Sequence, residues 1–173
     1  MEKSESILRA ISFAARAHDG QIRKDGITPY VSHPFRVLMI LRQIFGVSDE
    51  RVLIAAVLHD VIEDTTADFD DVAKEFGQEI AGWVGLLSKD KRKQEKERED
   101  KYTVVIQESP DEVKLIKLAD IYDNIMDAST AKSGGCLNRT LERTSKYIQA
   151  IRIKNNEKII FALNCIENLI KKR

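Results

Sequence analysis

The sequence predicts an all-α fold, a helical bundle formed by a single domain of 173 residues. Three observations carry this expectation. Apolar residues recur at three- and four-residue spacing along most of the chain, capping residues and glycines punctuate those stretches, and no segment shows the strict alternation of a strand. The length suits one domain with its own core.

Ile7, Ile11, Ala14, Ala15 and His18 fall at helical intervals and define an opening amphipathic helix, with His18 as a packed histidine on the inner stripe. Asp19-Gly20 should stop it, which leaves Gln21 to Val31 as a basic loop holding Arg23, Lys24, Gly26 and Pro29-Tyr30. Two cations beside an aromatic ring can grip a phosphorylated base by charge and stacking. His33-Pro34 opens the second helix, with proline at the first helical position and His33 at or near the cap. Val37, Leu38, Leu41, Ile44 and Phe45 form its buried stripe, and Gly46 ends it. Ser48-Asp49-Glu50 starts a third helix, in which Val52 to Leu58 include no polar side chain and so belong in the core. Continued through His59, Asp60, Glu63 and Asp64, that helix would place His59 and Glu63 on one face and Asp60 and Asp64 on the next.

Asp68 should cap a short helix through Phe69, Val72 and Phe76, and Gly77 separates it from another with Ile80, Val84 and Leu87. From Lys89 to Lys101 twelve of thirteen residues are charged, seven basic and five acidic. This predicts a solvated helix or a mobile segment, with Lys91 or Arg98 as candidates to meet a phosphate at the mouth of a site. Ser109-Pro110-Asp111-Glu112 reads as a capping box opening a long helix. Its core stripe includes Val113, Ile116, Leu118 and Ala119, with Asp120, Asp123, Asn124 and Asp127 set into it. Asp123 and Asp127 are expected in solvent, and Asp120, flanked by apolar residues, half-buried. Ala131 to Cys136 reads as a flexible connection. Two amphipathic helices within 137–172 complete the bundle, one on Leu141, Thr144, Ile148 and Ile151, the other on Ile159, Leu163, Ile166 and Ile170.

The 28 basic and 28 acidic residues cancel, so charge offers no attraction to nucleic acid or to an acidic membrane surface. No apolar run approaches the ~20 residues of a membrane span, and Met-Glu-Lys-Ser-Glu has no signal-peptide pattern, so a cytoplasmic chain is expected. Cys136 and Cys165 lack metal-ligand spacing and read as free thiols in a reducing compartment. The oligomeric state is left open.

Four groups then stand out: His33 at a helix start, His59 and Asp60 on the central helix, and Asp120 on the long helix. Buried charges need partners or a metal. Two imidazoles with two carboxylates suit one divalent ion, with manganese or iron favoured over zinc by the mixed nitrogen and oxygen donors. Such an ion lowers the pKa of a coordinated water and polarises a phosphoryl oxygen. Glu63 would orient or deprotonate that water, and Asp64 would manage protons or hold a supporting hydrogen bond.

The ordered set His33, His59-Asp60 and Asp120 resembles the HD superfamily of metal-dependent phosphohydrolases. Ala17-His18-Asp19-Gly20-Gln21-Ile22-Arg23-Lys24, Pro29-Tyr30, His33-Pro34, Leu58-His59-Asp60-Val61-Ile62-Glu63-Asp64-Thr65, Phe76-Gly77 and Ile116-Lys117-Leu118-Ala119-Asp120 resemble, more narrowly, the hydrolase domain of RelA/SpoT proteins. These motifs lie within residues 8–128 in that family's order. The resemblance implies an HD-domain bundle that hydrolyses guanosine 3′,5′-bis(diphosphate) at the 3′ position, releasing pyrophosphate, usually with manganese. It implies that His33, His59, Asp60 and Asp120 hold the metal and that Glu63 and Asp64 form the catalytic acidic pair. Arg23 and Lys24 would contact the nucleotide, Tyr30 would shape the base pocket, and Asn124 would bond ribose or phosphate. Because the chain ends where long members begin a synthetase domain, it looks like a stand-alone hydrolase similar to the metazoan SpoT homologues.

The chain departs from the family in three places. Two residues separate Gly26 from Pro29 where many members have one, and Ser88-Lys89 replaces Thr-Lys. Ile121-Tyr122-Asp123-Asn124-Ile125-Met126 stands where the long bacterial enzymes usually show Arg-Leu-His-Asn-Met-Arg, so two cations and a histidine are missing. The same site would also suit another nucleotide, such as an adenosine alarmone or the 2′-phosphate of NADPH. A regulatory module that binds nucleotide without turnover is the reading from a different class, and the full set of metal candidates and acids argues against it.

Overall fold

The structure, a computed structural model, describes residues 3–130, 135–152 and 156–173. It is built of α-helices. They are α1 (Lys3–Ala17), α2 (Ser32–Met39), α3 (Glu50–Leu58), α4 (Val61–Asp64), α5 (Phe69–Phe76), α6 (Gln78–Leu87), α7 (Glu95–Glu108), α8 (Asp111–Thr130), α9 (Gly135–Ile151) and α10 (Glu157–Lys171). The last turn of α2 widens into a π-helical segment over Ile40–Ile44, closed by the N–H of Phe45 on the carbonyl of Ile40. Among the described residues the sole β feature is an isolated bridge between Ile22 and Pro29 that pinches the basic loop.

The core forms around α3, whose residues Val52 to Leu58 are all buried, as expected of a helix apolar on every side. Fully burying a Val or Leu side chain stabilises by roughly 1.5–3 kcal/mol, so this short helix anchors its neighbours. The Asp49 side chain accepts from the N–H of Arg51 and starts it. α1 packs close against α3 through Ala10 and Ala14, while Ala15, expected on the inner stripe, faces solvent. α2, α6 and α8 cover the other sides of α3, and α9 and α10 pack on α8.

Several expected boundaries shift. Val31 caps α2, so Pro34 is the third helical residue rather than the first, and His33 lies inside the helix. α3 does not run through the acidic pair. It ends at Leu58, His59 and Asp60 form a break, and a new turn of helix begins at Val61. Asp68 and Asp71 form the reciprocal capping box that opens α5, and Gly77 ends it at φ +91°, where a side chain would be strained.

The charged segment is in part a packed helix, because α7 buries Tyr102 and Ile106. Ser109 ends α7 and donates its hydroxyl back to Val105 instead of capping α8. The expected connection falls partly on residues 131–134, outside the described residues, and α9 has already begun at Gly135. The Cys136 side chain also lies outside the described residues, and Cys165 is a half-buried free thiol. Among the described residues no helix is long and apolar enough to cross a membrane.

Candidate metal centre and active-site cavity

Side chains from three parts of the bundle converge on one point. His33 comes from the first turn of α2, His59 and Asp60 from the break before α4, and Asp120 from the middle of α8. The donor atoms of His33, His59 and Asp60 all lie within 4.8 Å of one another. His33 Nε2 is 3.5 Å from Asp60 Oδ2 and 3.2 Å from Asp120 Oδ1, which brings Asp120 to the edge of the cluster. His59 Nε2 is 3.0 Å from Asp60 Oδ2. The rings of His33 and His59 meet edge to face with centroids 5.1 Å apart, and both residues are buried.

The far side of each ring decides which nitrogen is available. His59 Nδ1 lies 2.8 Å from the carbonyl of Ala56, which can only accept, so Nδ1 carries the proton and donates. His33 Nδ1 lies 2.6 Å from a carboxylate oxygen of Asp123 and donates to it in the same way. Both Nε2 atoms therefore turn toward the shared point. His59 Nε2 is buried there without a hydrogen bond: the Asp60 oxygen 3.0 Å away, held ionised, has no proton to donate to it. An unspent imidazole lone pair facing ionised carboxylates fits a divalent metal better than a closed hydrogen-bond network.

The electrostatics agree. Burial opposes charge on His33, but the hydrogen bonds to Asp120 and Asp123 outweigh it and push its pKa up to about 9. His59 shifts upward too, because the Asp60 charge prevails over burial. Burial would raise Asp60, yet His59 and His33 hold it well below the carboxylate range; for Asp120, Lys117 and His33 do the same. The centre thus favours positive charge, and a proton and a metal ion would compete for the same lone pairs.

A cavity of about 300 Å³ opens over this point. Glu63 lies on its wall, its Oε2 accepting the N–H of Lys89 at 2.9 Å. Burial, with Asp60 and Asp64 nearby, raises the Glu63 carboxyl above its usual value despite that hydrogen bond. Asp64 accepts from Tyr30 Oη at 3.1 Å and from the ammonium of Lys91. Gln21 donates to the Asp64 carbonyl at 2.6 Å and pairs with His18, which stacks on Tyr30 at 4.9 Å. Tyr30 also donates to Asp60 Oδ2 at 2.6 Å, and burial together with these carboxylates keeps its hydroxyl protonated. Here the tyrosine braces the acids, a job that sequence reasoning did not give it.

The other expected substrate contacts also line the cavity, and Arg23 and Asn124 have internal partners. Arg23 pairs with Asp127 and lies over the Tyr30 ring, Lys24 is at the rim, and Asn124 donates to the carbonyl and carboxylate of Asp120. Lys91 reaches the site, whereas Arg98 does not line it.

Sequence reasoning missed five further groups. Lys117 donates to Asp120 Oδ2 at 2.7 Å and, with Lys89, sits over the rings of Tyr102 and Tyr147. Lys89 itself and Arg143 of α9 add positive charge to the wall. Asp123, expected in solvent, is 0% exposed and gripped by Arg36. The signal for Lys117 was local, three residues before Asp120, but Arg36 and Arg143 come from distant segments whose approach no spacing rule reveals.

A helical bundle with such a centre defines a class, and the comparisons agree: the pattern of the HD domain family matches residues 10–150, so the chain belongs to that family. Within it the chain is similar to the metazoan SpoT homologues. It is 40% identical over 145 residues to the Drosophila melanogaster protein named guanosine-3′,5′-bis(diphosphate) 3′-pyrophosphohydrolase MESH1, covering 83% of this chain and 79% of that one. The Homo sapiens protein of the same name is 37% identical, with 77% and 75% covered. A solved structure titled as a metazoan ortholog of SpoT that hydrolyses ppGpp superimposes with a TM-score of 0.84 at 32% identity, covering 98% of both chains.

Proposed function

We propose that this chain is a divalent-metal-dependent hydrolase that removes pyrophosphate from the 3′ position of guanosine 3′,5′-bis(diphosphate), with manganese as its metal. The observation that carries the reading is the convergence of His33, His59, Asp60 and Asp120 beneath a cavity that also holds Glu63 and Asp64 and is edged by cations. Relatives that bear this activity in their names cover most of the chain.

When bound, the metal would supply Lewis acidity and a coordinated water of lowered pKa. The chain's own groups do the rest. Lys24, Lys89 and Arg143 on the cavity wall, with Lys91 paired to Asp64 beside it, stand where a polyanionic substrate needs positive charge, and they orient its phosphates. Glu63 accepts a proton from the attacking water. The water oxygen bonds to the phosphorus attached to O3′, the P–O3′ bond breaks, and the leaving O3′ takes the proton that Glu63 removed from the water, passed on with Asp64 as relay. Tyr30 fixes the orientation of Asp60 and Asp64 throughout.

The test is to incubate the purified protein with guanosine tetraphosphate and Mn²⁺, with and without chelator, beside a His59→Ala control. Chelator-sensitive release of pyrophosphate and guanosine diphosphate is expected, and is lost in the control. Absence of turnover with metal bound, alongside turnover of an adenosine alarmone or NADPH, would reassign the substrate.

A further inference from the structure

We infer that Asp123 is the positioning residue of the metal centre: its carboxylate accepts a hydrogen bond from the Nδ1–H of His33, locks the ring in the tautomer that presents Nε2, and strengthens that nitrogen as a donor. This rests on the metal-centre reading above and goes beyond it, since Asp123 touches neither substrate nor metal. The geometry is specific. Asp123 Oδ2 is 2.6 Å from His33 Nδ1, and Arg36 clamps the carboxylate from the other side, Nε to Oδ1 at 2.6 Å and Nη2 to Oδ2 at 3.0 Å. Arg23 stands 3.8 Å away as a second cation.

The Asp123 side chain is fully buried and the His33 ring nearly so, which leaves no water to compete for this hydrogen bond. A two-toothed guanidinium grip fixes both carboxylate oxygens, so Oδ2 cannot swing away from the ring. A carboxylate behind a ligating imidazole raises its basicity and fixes its orientation, and loss of such a partner typically costs roughly 10- to 100-fold in metal affinity. His59 is backed only by the neutral carbonyl of Ala56. The two histidines are therefore unequal donors, with His33 the stronger.

The inference also accounts for the departure at Ile121 to Met126. Where the long bacterial pattern has histidine, this chain has an acid, and the acid comes with Arg36 one turn along α2 from His33. The charge of Asp123 is balanced within the protein and does not draw on the substrate.

The experiment uses the full chain, stripped with chelator and titrated with Mn²⁺ in a competition assay against a chromophoric chelator. Asp123→Asn keeps the shape and removes the charge; a loss of Mn²⁺ affinity of roughly 10- to 100-fold is expected, with rescue in Asp123→Glu. Folding of each variant is checked by thermal melt. If the wild type binds Mn²⁺ and folded Asp123→Asn binds it within twofold, the inference is overturned while the metal centre stands. If the wild type binds no Mn²⁺, the metal-centre reading itself falls, and the inference with it. Should Asp123→Asn fail to fold, ¹⁵N-histidine spectra of the wild type loaded with diamagnetic Zn²⁺ decide. A strongly downfield Nδ1–H signal from His33 supports the inference, and an Nε2–H tautomer overturns it.

Discussion

At the scale of single residues, Glu63 and Lys117 make opposite predictions. Glu63 lies on the cavity wall without belonging to the metal cluster, so Glu63→Gln should lower turnover by roughly 10²- to 10⁴-fold and leave Mn²⁺ affinity nearly unchanged. Steady-state kinetics beside a metal titration checks this, and equal loss of both would remove Glu63 from the chemistry. Lys117 is an anchor. Its ammonium donates to Asp120 Oδ2 and lies over two tyrosine rings. Burial opposes its charge, yet Asp120 raises its pKa far above the ordinary value. Lys117→Met should cost about 3–5 kcal/mol by leaving the buried Asp120 without its lysine partner, measured by denaturant unfolding without metal. A cost under about 1 kcal/mol would show that His33 and Asn124 suffice to hold Asp120. The ligand candidates were legible because His59-Asp60 interrupts an apolar run, and local contrast is what a sequence displays. Asp123 was not legible. An aspartate on a helix reads as solvated, and its partners His33 and Arg36 lie 90 and 87 residues away.

At the scale of elements, the helices and most stops could be read because caps and glycines act locally, as Asp49, Asp68 and Gly77 do. The break between α3 and α4 could not, because His59 and Asp60 carry no helix-breaking residue type. The contacts that hold them are tertiary: the ring of His33, the hydroxyl of Tyr30 and the N–H of Lys89 on Glu63. The packing of α7 was hidden for a related reason, since seven charges precede the buried Tyr102 within its own span. Glu99 of that helix joins α7 to α9 and to the cavity wall by accepting from Tyr147 and from Lys89 Nζ at 2.9 Å. Burial would raise its carboxyl, but these two donors outweigh it and lower its pKa. A depressed folded-state value contributes stability above the unfolded value, near 4.3, and loses it as pH falls through the folded value. The melting-temperature gap between wild type and Glu99→Gln should therefore be full above pH ~5 and shrink below it. A gap that stays constant down to pH ~3 would mean that the shape of the side chain, and not its charge, joins the helices.

At the scale of the whole molecule, the candidate ligands tie together α2, the α3–α4 break and α8, elements that only the folded bundle brings within reach. An ion bound there favours the folded state by mass action, because the unfolded chain scatters the same groups. At a free concentration 100 times Kd the gain is about 2.7 kcal/mol. For a chain of this size that corresponds to a rise in Tm of roughly 5–10 °C. The gain should be specific to the centre, since the negative charge of Asp60, Asp120 and Asp123 is already balanced in part by Lys117, Arg36 and Arg23, and what remains is focused on the buried point facing both Nε2 atoms. Thermal melts of the stripped protein with rising Mn²⁺ should show a saturable increase that chelator reverses and His59→Ala abolishes. Because Glu63→Gln leaves the donors intact, it should melt with the same metal-dependent increase as the wild type. A wild type that melts at one temperature with Mn²⁺ and with chelator would show that the four side chains hold one another, and not an ion.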